Sequence, residues 1–336
     1  MKTTLKLMLS GLLLALLAPL GGCGCGFDCN SDDAGNPAVF SLGMSDSLPE
    51  DLKEVVIEVD SITLRRSNGT AEKIDTFTIE ALGLVDAASF QINLLKYRGL
   101  TQLVVISGLQ IPTGTYDEVS LEILVGSVNR SYVKLQNDSL REITVQDGIL
   151  DLPGIRLSSG TQRFVIEFGL AQALKYQSAT DKYLLANTGV RIENTAKAAT
   201  ISGQVDSGLF DAVAPCSEKS DPQTGNRIYL YKGVDLVANN LADVFTSAST
   251  EAIPSSAIAP FAVASLVEDS FTGNWEYSVG YVPPGDYTLA FACNTADDDS
   301  VNFDDLVIPL PSNELREFSL SEGEKVVCDL EANGSC

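Results

Sequence analysis

Histidine is missing from the sequence: none of the 336 residues is a histidine. This absence excludes Ser-His-Asp and Cys-His catalysis, histidine-rich zinc sites and the commonest general base of enzymes. Aspartate and glutamate are abundant, so a two-carboxylate glycosidase is formally open, but no pair stands out by spacing. We therefore expect a protein that is not an enzyme, with a carboxylate-based hydrolase as the least favoured alternative.

Positive charge is also scarce. The chain has 22 Lys and Arg residues against 45 Asp and Glu residues, for a net charge of −23. Such a charge repels nucleic acid and anionic membrane surfaces, and the basic groups around Arg65 and Arg98 are isolated. We therefore expect no nucleic-acid partner. The 45% of apolar residues and 20% of charged residues are typical of a globular protein, and the length allows two domains.

Long hydrophobic runs are limited to the beginning of the chain. Lys2 and Lys6 precede an apolar run over residues 7–20. This run is too short to span a bilayer, but it has the length of the hydrophobic region of a secretory signal. The pattern predicts a signal peptide over residues 1–22 and an exported protein.

The sequence Leu20-Gly21-Gly22-Cys23 resembles a bacterial lipobox. The resemblance implies cleavage between Gly22 and Cys23 and acylation of Cys23, with palmitate among the acyl chains. Several acyl chains would hold a protein on a membrane essentially permanently. We therefore expect a lipoprotein of the cell envelope, attached by its lipid anchor. Because Gly24 and not aspartate follows the cysteine, the expected location is the cell outer membrane of a Gram-negative bacterium.

The polar, glycine-rich residues 23–36 predict a lipidated tether. Seven cysteines occur, and assigning Cys23 to lipid leaves six for disulfide bonds in an oxidising compartment. The sequence leaves all pairings open, and a metal site at the first two cysteines lacks further ligands. The pairs that we favour are Cys25 with Cys29, Cys216 with Cys293, and Cys328 with Cys336.

Beyond residue 36, apolar residues alternate with period two in many short segments separated by turn residues. This pattern is typical of half-buried strands. It predicts an all-β fold of two β-sandwich domains in tandem, over residues 37–195 and 199–336. A one-residue shift at Asp60-Ser61 predicts a β-bulge. The pattern of residues 170–176 predicts a short helix, and the weak pattern of residues 236–270 predicts loops with at most one short helix.

A family resemblance is carried by three motifs in the first predicted domain. They are the opening Phe40-Ser41-Leu42-Gly43-Met44-Ser45-Asp46-Ser47-Leu48-Pro49 followed by Val55-Val56-Ile57-Glu58-Val59-Asp60-Ser61-Ile62, the segment Ile111-Pro112-Thr113-Gly114-Thr115-Tyr116, and Gly189-Val190-Arg191-Ile192. Together they resemble the bacterial lipoprotein family called domain of unknown function 4382, over most of residues 37–195. This resemblance implies an envelope location and a β-rich fold, and it brings no catalytic residues.

The second predicted domain looks like a transthyretin-like or carboxypeptidase-regulatory-like sandwich. Ile201-Ser202-Gly203-Gln204-Val205 opens it, and Val282-Pro283-Pro284-Gly285-Asp286-Tyr287 lies near its end. Modules of this kind commonly serve as spacers or adhesive units. The Pro-Gly-x-Tyr pattern predicts a tight turn in which the tyrosine packs back over the turn, and Pro112 to Tyr116 repeats it.

The densest polar cluster spans residues 297–305, which we call the acidic loop. Calcium prefers six to eight oxygen ligands, so this loop is a candidate calcium site, although its spacing does not fit an EF-hand. The alternative is a solvated acidic surface. The candidate ligands are Asp297, Asp298, Asp299, Asn302, Asp304 and Asp305.

Trp275, Tyr277 and Tyr281 alternate along one predicted strand. On an exposed face they could stack against sugar rings, whereas on an inner face they would belong to the sandwich core. Three functions remain open. We favour a non-catalytic binding, adhesive or structural module of the envelope, with an envelope protein or a glycan as partner. The alternatives are a calcium-dependent or glycan-binding surface module and the carboxylate-based hydrolase.

Overall fold

Short strands make up most of the folded chain, in agreement with the predicted all-β class. The computed structural model describes residues 36–47, 52–330 and 336. The strands of the first half, here called the first sandwich, are β1 Ala38–Ser47, β2 Leu52–Arg65, β3 Ala71–Ile74, β4 Phe77–Ile79, β5 Leu84–Ala87, β6 Phe90–Asn93, β7 Leu103–Ile111, β8 Gly114–Leu124, β9 Tyr132–Leu135, β10 Leu140–Thr144, β11 Ile149–Leu157, β12 Gly160–Gly169, β13 Leu174–Gln177, β14 Lys182–Leu185 and β15 Val190–Asn194.

The second half, here called the second sandwich, is built in the same way. Its strands are β16 Ala199–Val205, β17 Arg227–Lys232, β18 Ala262–Ser265, β19 Val267–Glu268, β20 Trp275–Val282, β21 Gly285–Ala292, β22 Leu315–Leu320 and β23 Lys325–Val327. Helical structure in the described residues is limited to single turns, namely α1 Leu170–Ala173 and the 3-10 turns Glu80–Leu82, Leu94–Lys96, Gln146–Gly148, Ser207–Leu209, Cys216–Glu218 and Ala238–Asn240. None of these helices is long and apolar enough to cross a membrane.

In the first sandwich, the sheet β15-β12-β1-β7 faces the larger sheet β11-β8-β2-β9-β10-β14-β13, in which β3 and β6 also pair with β2. Strand β1 is central in its sheet, because it pairs in parallel with β12 and antiparallel with β7. The inward residues of both sheets, including Phe40, Ile57 and Phe168, form one hydrophobic core. Their period-two spacing is what allows each strand to bury one face.

The predicted bulge in β2 is confirmed. The pairing of β2 with β8 shifts between Val59 and Ser61. The extra residue resets the alternation, so that Val59 and Ile62 are both fully buried. The shift in the apolar pattern at Asp60-Ser61 thus corresponds to a shift in strand register.

The second sandwich packs the sheet β19-β20-β16-β23 against the sheet β18-β17-β21-β22. Residues such as Ile201, Leu230 and Phe291 fill the space between the two sheets. A further hydrophobic cluster, including Tyr229 and Tyr231, lies on the opposite face of the β17–β21 pair under the chain segments that connect the strands. These connecting segments include the acidic loop, which is therefore packed against the sandwich.

The Pro-Gly-x-Tyr turn at residues 283–287 and the similar turn at residues 112–116, where a threonine separates the proline from the glycine, have the same local structure. The hydroxyl of Tyr116 donates to the carbonyl of Pro112 at 2.8 Å, and that of Tyr287 donates to the carbonyl of Pro283 at 2.9 Å. Both tyrosines are buried. The glycine in each turn has a positive φ, 133° at Gly114 and 151° at Gly285. Residues with a Cβ rarely adopt such a φ, which explains the choice of glycine.

Two sequence-based predictions are wrong in detail. The helix predicted over residues 170–176 is a single turn that ends at Ala173, after which β13 pairs with β14 in a hairpin. Hairpin pairing satisfies the backbone groups that a longer helix would otherwise bond internally. The segment over residues 236–270, predicted as loops, contains β18 and β19. β18 consists mainly of small residues and β19 has only two residues, so neither shows a clear apolar alternation.

The two sandwiches contact each other through buried polar groups as well as apolar ones, and Asp33–Cys336 forms one compact unit. Hydrogen bonds that cross between the sandwiches include those from Arg191 Nη2 to the Gly280 carbonyl at 3.3 Å, from the Tyr281 hydroxyl to the Leu100 carbonyl at 2.9 Å, and from Gln172 Nε2 to the Pro260 carbonyl at 3.2 Å. The domain boundary over residues 195–199 stays a prediction, because it concerns independent folding and these contacts join the two sides.

Candidate functional site

A cleft of about 730 Å³ lies where the two sandwiches meet, and we call it the inter-sandwich cleft. One wall comes from the β13–β14 hairpin and the turn after β9. The other wall comes from the residues around Gly225 and from the start of the acidic loop. Its volume is within the usual range for ligand sites. The charged side chains that line it are Lys175, Arg227, Asp298 and Asp299.

Asp299 joins the two walls of the cleft. Lys175 Nζ of β13 contacts Asp299 Oδ2 at 2.6 Å, and both side chains are about one-quarter exposed. The other oxygen, Oδ1, accepts from the backbone N–H groups of Val301 and Asn302. Although partial burial raises the pKa of Asp299, these donors and Lys175 outweigh it and lower the pKa below its ordinary value. Asp299 is therefore held as a charged, hydrogen-bonded anion.

Asp298 is the buried neighbour of Asp299, with a side chain that has no exposed surface. Its Oδ2 accepts from Arg227 Nη1 at 3.2 Å and from the Tyr229 hydroxyl, and its Oδ1 accepts from the Val244 N–H at 3.2 Å. Burial raises the pKa of Asp298 to about 6, against the opposing effect of the Arg227 charge. Each oxygen of both carboxylates thus already has a donor from the protein.

The rest of the acidic loop is held by similar bonds. Asp243, a buried residue before the loop, accepts from the N–H groups of Asp304 and Leu306 at 3.1 and 2.9 Å. Asp304 in turn accepts from the Asp299 N–H at 2.7 Å. Within residues 36–47, 52–330 and 336, no group of three or more His, Cys, Asp or Glu side chains could hold a metal ion. Calcium binding at this loop stays a prediction from the sequence.

Two tyrosines form the aromatic part of the cleft wall. The rings of Tyr176 and Tyr183 face each other across the β13–β14 hairpin, with centroids 5.2 Å apart. Tyr176 is 47% exposed, which is high for so large a side chain. Its hydroxyl donates to Asp181 Oδ1 at 2.8 Å, and Arg141 also binds that carboxylate. The exposed ring is therefore fixed in place by its polar end.

A second polar cluster lies deeper in the contact between the sandwiches. Ser45, Glu167 and Arg191 occupy adjacent register positions on β1, β12 and β15. Glu167 is 1% exposed, and burial raises its pKa to about 7, opposed by the charge of Arg191 and a hydrogen bond from Ser45. The guanidinium of Arg191 also lies 4.8 Å from the ring centre of Phe261 in the second sandwich. Arg191 thereby links the buried carboxylate to the other sandwich.

The predicted aromatic stripe on β20 does not form an open face. Trp275 is partly buried and packs edge-on against Phe210, while Tyr277 is 3% exposed and donates to the Cys328 carbonyl. The expectation that Tyr281 shares their face is wrong. The pairing of β16 with β20 shifts near Tyr281, whose φ is 52°, and the ring turns toward the first sandwich. Burial removes the surface on which a sugar would stack, and the core alternative is correct for Tyr277.

The cysteines of the second sandwich pair as favoured from the sequence. Cys216 bonds to Cys293, and Cys328 bonds to Cys336. Other predicted sites, namely the cleavage position at Gly22, the lipidation site Cys23 and the pair Cys25 and Cys29, lie outside the described residues. Among the candidate calcium ligands, Asn302 Nδ2 donates to Asp299 Oδ2, and the backbone N–H of Asp299 donates to Asp304. The carboxylate of Asp298 is bound by Arg227 and Tyr229 instead. The exposed members of the set are Asp297, Asp304 and Asp305.

Sequence reasoning missed the other side of the cleft. Lys175 and Tyr176 fall in the segment predicted as helix, and Arg227 begins a strand 71 residues before its partner Asp298. The alternation of residues 174–177 and 182–185 around a Thr-Asp turn is a hairpin signal that could have placed the tyrosines. No local signal connects Arg227 or Asp243 to the acidic loop, because those contacts depend on the tertiary fold.

Comparison with solved structures gives weak similarities only. A leucine-rich repeat protein from Bacteroides thetaiotaomicron has 11% identity and a TM-score of 0.20, over 87% of this chain and 25% of that chain. A protein provisionally classed as an adhesin from Bacteroides ovatus has 9% identity and a TM-score of 0.18, over 96% of this chain and 97% of that chain. The major pilin subunit of Bacillus cereus has 9% identity and a TM-score of 0.18, over 85% and 61%. A comparison with curated proteins gives no match.

A family model matches the first sandwich. The matched residues are 37–186, which include the motifs around Phe40 and Pro112 that carry the sequence resemblance. The match ends before the second sandwich begins, so the transthyretin-like resemblance of that part stays a prediction. The model that matches these residues is described as a domain of unknown function (DUF4382).

Proposed function

We propose that this protein is a lipid-anchored, non-catalytic module of the bacterial cell envelope that acts in binding or adhesion. One observation carries the non-catalytic part. The two carboxylates of the inter-sandwich cleft, Asp298 and Asp299, accept protein hydrogen bonds at every oxygen. A carboxylate hydrolase needs one carboxyl group free to protonate a leaving group and a second free to activate water or attack. Here Asp299 is occupied by Lys175 of the opposite wall and by donors of its own loop. Asp298 is occupied by Arg227, Tyr229 and Val244 on its own side of the cleft.

The opposite displacements of the two pKa values could suggest an acid and a base. The physical causes argue otherwise. The pKa of Asp298 is raised by burial, and its side chain has no exposed surface with which to reach a substrate. The pKa of Asp299 is lowered by Lys175 and by backbone donors of its own loop. Both displacements follow from structural contacts.

The binding function can be tested with the compact unit Asp33–Cys336 coupled to beads. The beads would be passed over immobilised whole bacteria and over isolated cell-wall sacculi, with albumin-coated beads as the control. We expect retention on at least one surface and no release of reducing sugar ends from polysaccharides. Turnover that disappears on Asp299→Asn, or retention no better than albumin, would contradict the proposal.

The anchor can be tested separately through Cys23. Because the acyl chains would provide the membrane attachment, Cys23→Ala is expected to move the protein from the membrane fraction to the soluble fraction of the host envelope. Fractionation followed by detection of the protein measures this. A mutant that remains uncleaved and membrane-bound would refute the lipoprotein assignment.

A further inference from the structure

We propose that the inter-sandwich cleft binds a neutral oligosaccharide, with Tyr176 as the stacking platform. The proposal rests on the binding function above and specifies the ligand class and the site. It replaces the β20 aromatic stripe, whose rings are largely buried, with a surface that no sequence motif indicates.

The charge of the cleft argues for a neutral ligand. The chain as a whole carries −23, yet the cleft is lined by two positive and two negative side chains. They pair as Lys175 with Asp299 at 2.6 Å and Arg227 with Asp298 at 3.2 Å. A charged ligand would have to break one of these pairs and leave a partly buried charge without its partner, which is strongly unfavourable. A ligand rich in hydroxyl groups can bind without breaking either pair.

The aromatic wall argues for a ligand with a flat apolar face. Tyr176 presents 47% of its surface to solvent while Asp181 and the neighbouring Tyr183 fix its ring. An exposed ring held rigidly loses little conformational entropy when a ligand stacks on it. Pyranose rings present C–H groups on one face and hydroxyls at their edges, so they combine both requirements.

The polar lining supplies partners for those hydroxyls. Gln136 and Asn137, in the turn after β9, each carry an amide with donor and acceptor atoms. Thr224 adds a hydroxyl on the opposite wall, and because it donates to the Asp221 carbonyl it offers a ligand its acceptor lone pairs. Aromatic side chains with a few polar groups from both walls are the usual composition of a small-ligand site, and a volume of about 730 Å³ accommodates more than one sugar ring.

The test is a calorimetric titration of the Asp33–Cys336 unit. The probes are neutral glucan, mannan, galactan and xylan oligosaccharides, acidic oligogalacturonate and hyaluronan fragments, and neutral extended peptides. We expect at least one neutral saccharide to bind, and Tyr176→Ala to weaken it at least tenfold. Tyr176→Phe keeps the ring and should stay within about threefold. Phe271→Ala removes an aromatic side chain that is 96% exposed outside the cleft, and it should change nothing.

A second variant protects the test against misfolding. Ala296 is exposed on the cleft wall, so Ala296→Trp should fill the space and abolish binding while the melting temperature is unchanged. The proposal is overturned if no neutral saccharide binds, if acidic saccharides or peptides bind in preference, or if both cleft variants bind as the wild type does. Beads that adhere equally well with Tyr176→Ala would overturn the saccharide site alone. Failure of wild-type beads to adhere would instead overturn the adhesive function.

Discussion

At the scale of single residues, Glu167 is a carboxyl group whose pKa is strongly displaced by its surroundings. It lies on β12 with 1% of its surface exposed, and its Oε2 has no hydrogen-bond donor among the described residues. Arg191 on the next strand provides a compensating charge, and Tyr281 of the second sandwich is close enough for the Glu167 charge to raise the pKa of the tyrosine. The Glu167 carboxylate therefore interacts electrostatically with residues of both sandwiches.

The raised pKa of Glu167 predicts a defined pH dependence of stability. Because the pKa in the folded state, about 7, exceeds its ordinary value of 4.5, the folded state binds the proton more tightly. This contribution is fully present below pH 4.5 and is lost as the pH rises through 7. The difference corresponds to about 3 kcal/mol.

Glu167→Gln is neutral at position 167 at every pH, as the protonated carboxyl group is. The free energy of unfolding of the variant should therefore lack the decrease with rising pH that Glu167 causes in the wild type. We expect the variant to gain stability relative to the wild type, by about 3 kcal/mol, between pH 4.5 and pH 8. Urea unfolding across that range measures the gain. The raised pKa of Asp298 also makes stability fall as the pH rises, and it does so equally in both proteins. The measured quantity is therefore the difference in unfolding free energy between the variant and the wild type. Parallel curves for the two proteins would be inconsistent with a protonated Glu167, and the exposed Glu80→Gln serves as the control.

At the scale of elements, the disulfides close loops of very different length. Cys216 and Cys293 are 77 residues apart, whereas Cys328 and Cys336 are 8 apart. In the chain-entropy account, the disulfide that closes the longer loop restricts the unfolded chain more, and it stabilises the folded state by about 4.5 kcal/mol against about 2.5 kcal/mol for the shorter loop. Replacing the first pair by alanines should therefore lower the free energy of unfolding more than replacing the second. Thermal unfolding of the two double variants tests the order, and a larger loss from the second pair would contradict it.

The acidic loop makes a prediction about calcium. Its Asp299 oxygens accept N–H donors and Lys175, so calcium would have to displace these bonds in order to bind there. We expect 1 mM calcium to raise the unfolding midpoint by less than about 2 °C relative to chelator, against about 5 to 10 °C for a site with a dissociation constant near 10 μM. A rise of the larger size that is lost in Asp297→Asn with Asp299→Asn would establish a calcium-dependent module instead.

Elements with a local signal could be predicted from the sequence. Strand β20 spans the predicted residues, the bulge lies at Asp60-Ser61, and both Pro-Gly-x-Tyr turns close through the tyrosine hydroxyl. The hairpin that carries Tyr176 was missed, because its first strand directly follows a helical turn and the apolar pattern suits either structure. The two walls of the cleft come from segments that are distant in the sequence, and a local apolar period gives no information about such contacts.

At the scale of the whole molecule, the close approach of the sandwiches depends on glycine. A Cβ on Gly280 would lie 2.5 Å from the Gly99 carbonyl oxygen of the first sandwich, where backbone meets backbone. The φ of Gly280 is not in the left-handed region, so alanine is opposed by this contact alone. The close approach of the two backbones at this contact therefore requires a residue without a side chain at position 280.

Gly280→Ala should push the sandwiches apart. We expect one cooperative unfolding transition for the wild type, and for the variant either a loss of about 1 to 3 kcal/mol or a split into two transitions. Scanning calorimetry distinguishes these results from no effect, which would contradict the interface described here. Ser255→Ala, at an exposed position of the second sandwich away from this contact, is the control.

The central position of β1 has a consequence for how the chain can acquire its structure. β1 lies between β7 and β12, and Ala38 pairs with Gly160 and with Ile111. A chain that emerges from its N-terminus must keep Phe40, Leu42 and Met44 without their final neighbours until residue 169 has appeared. Pairing over such separations is slow. The order of strands therefore delays the native pairing of β1 until the residues of β7 and β12 are both available.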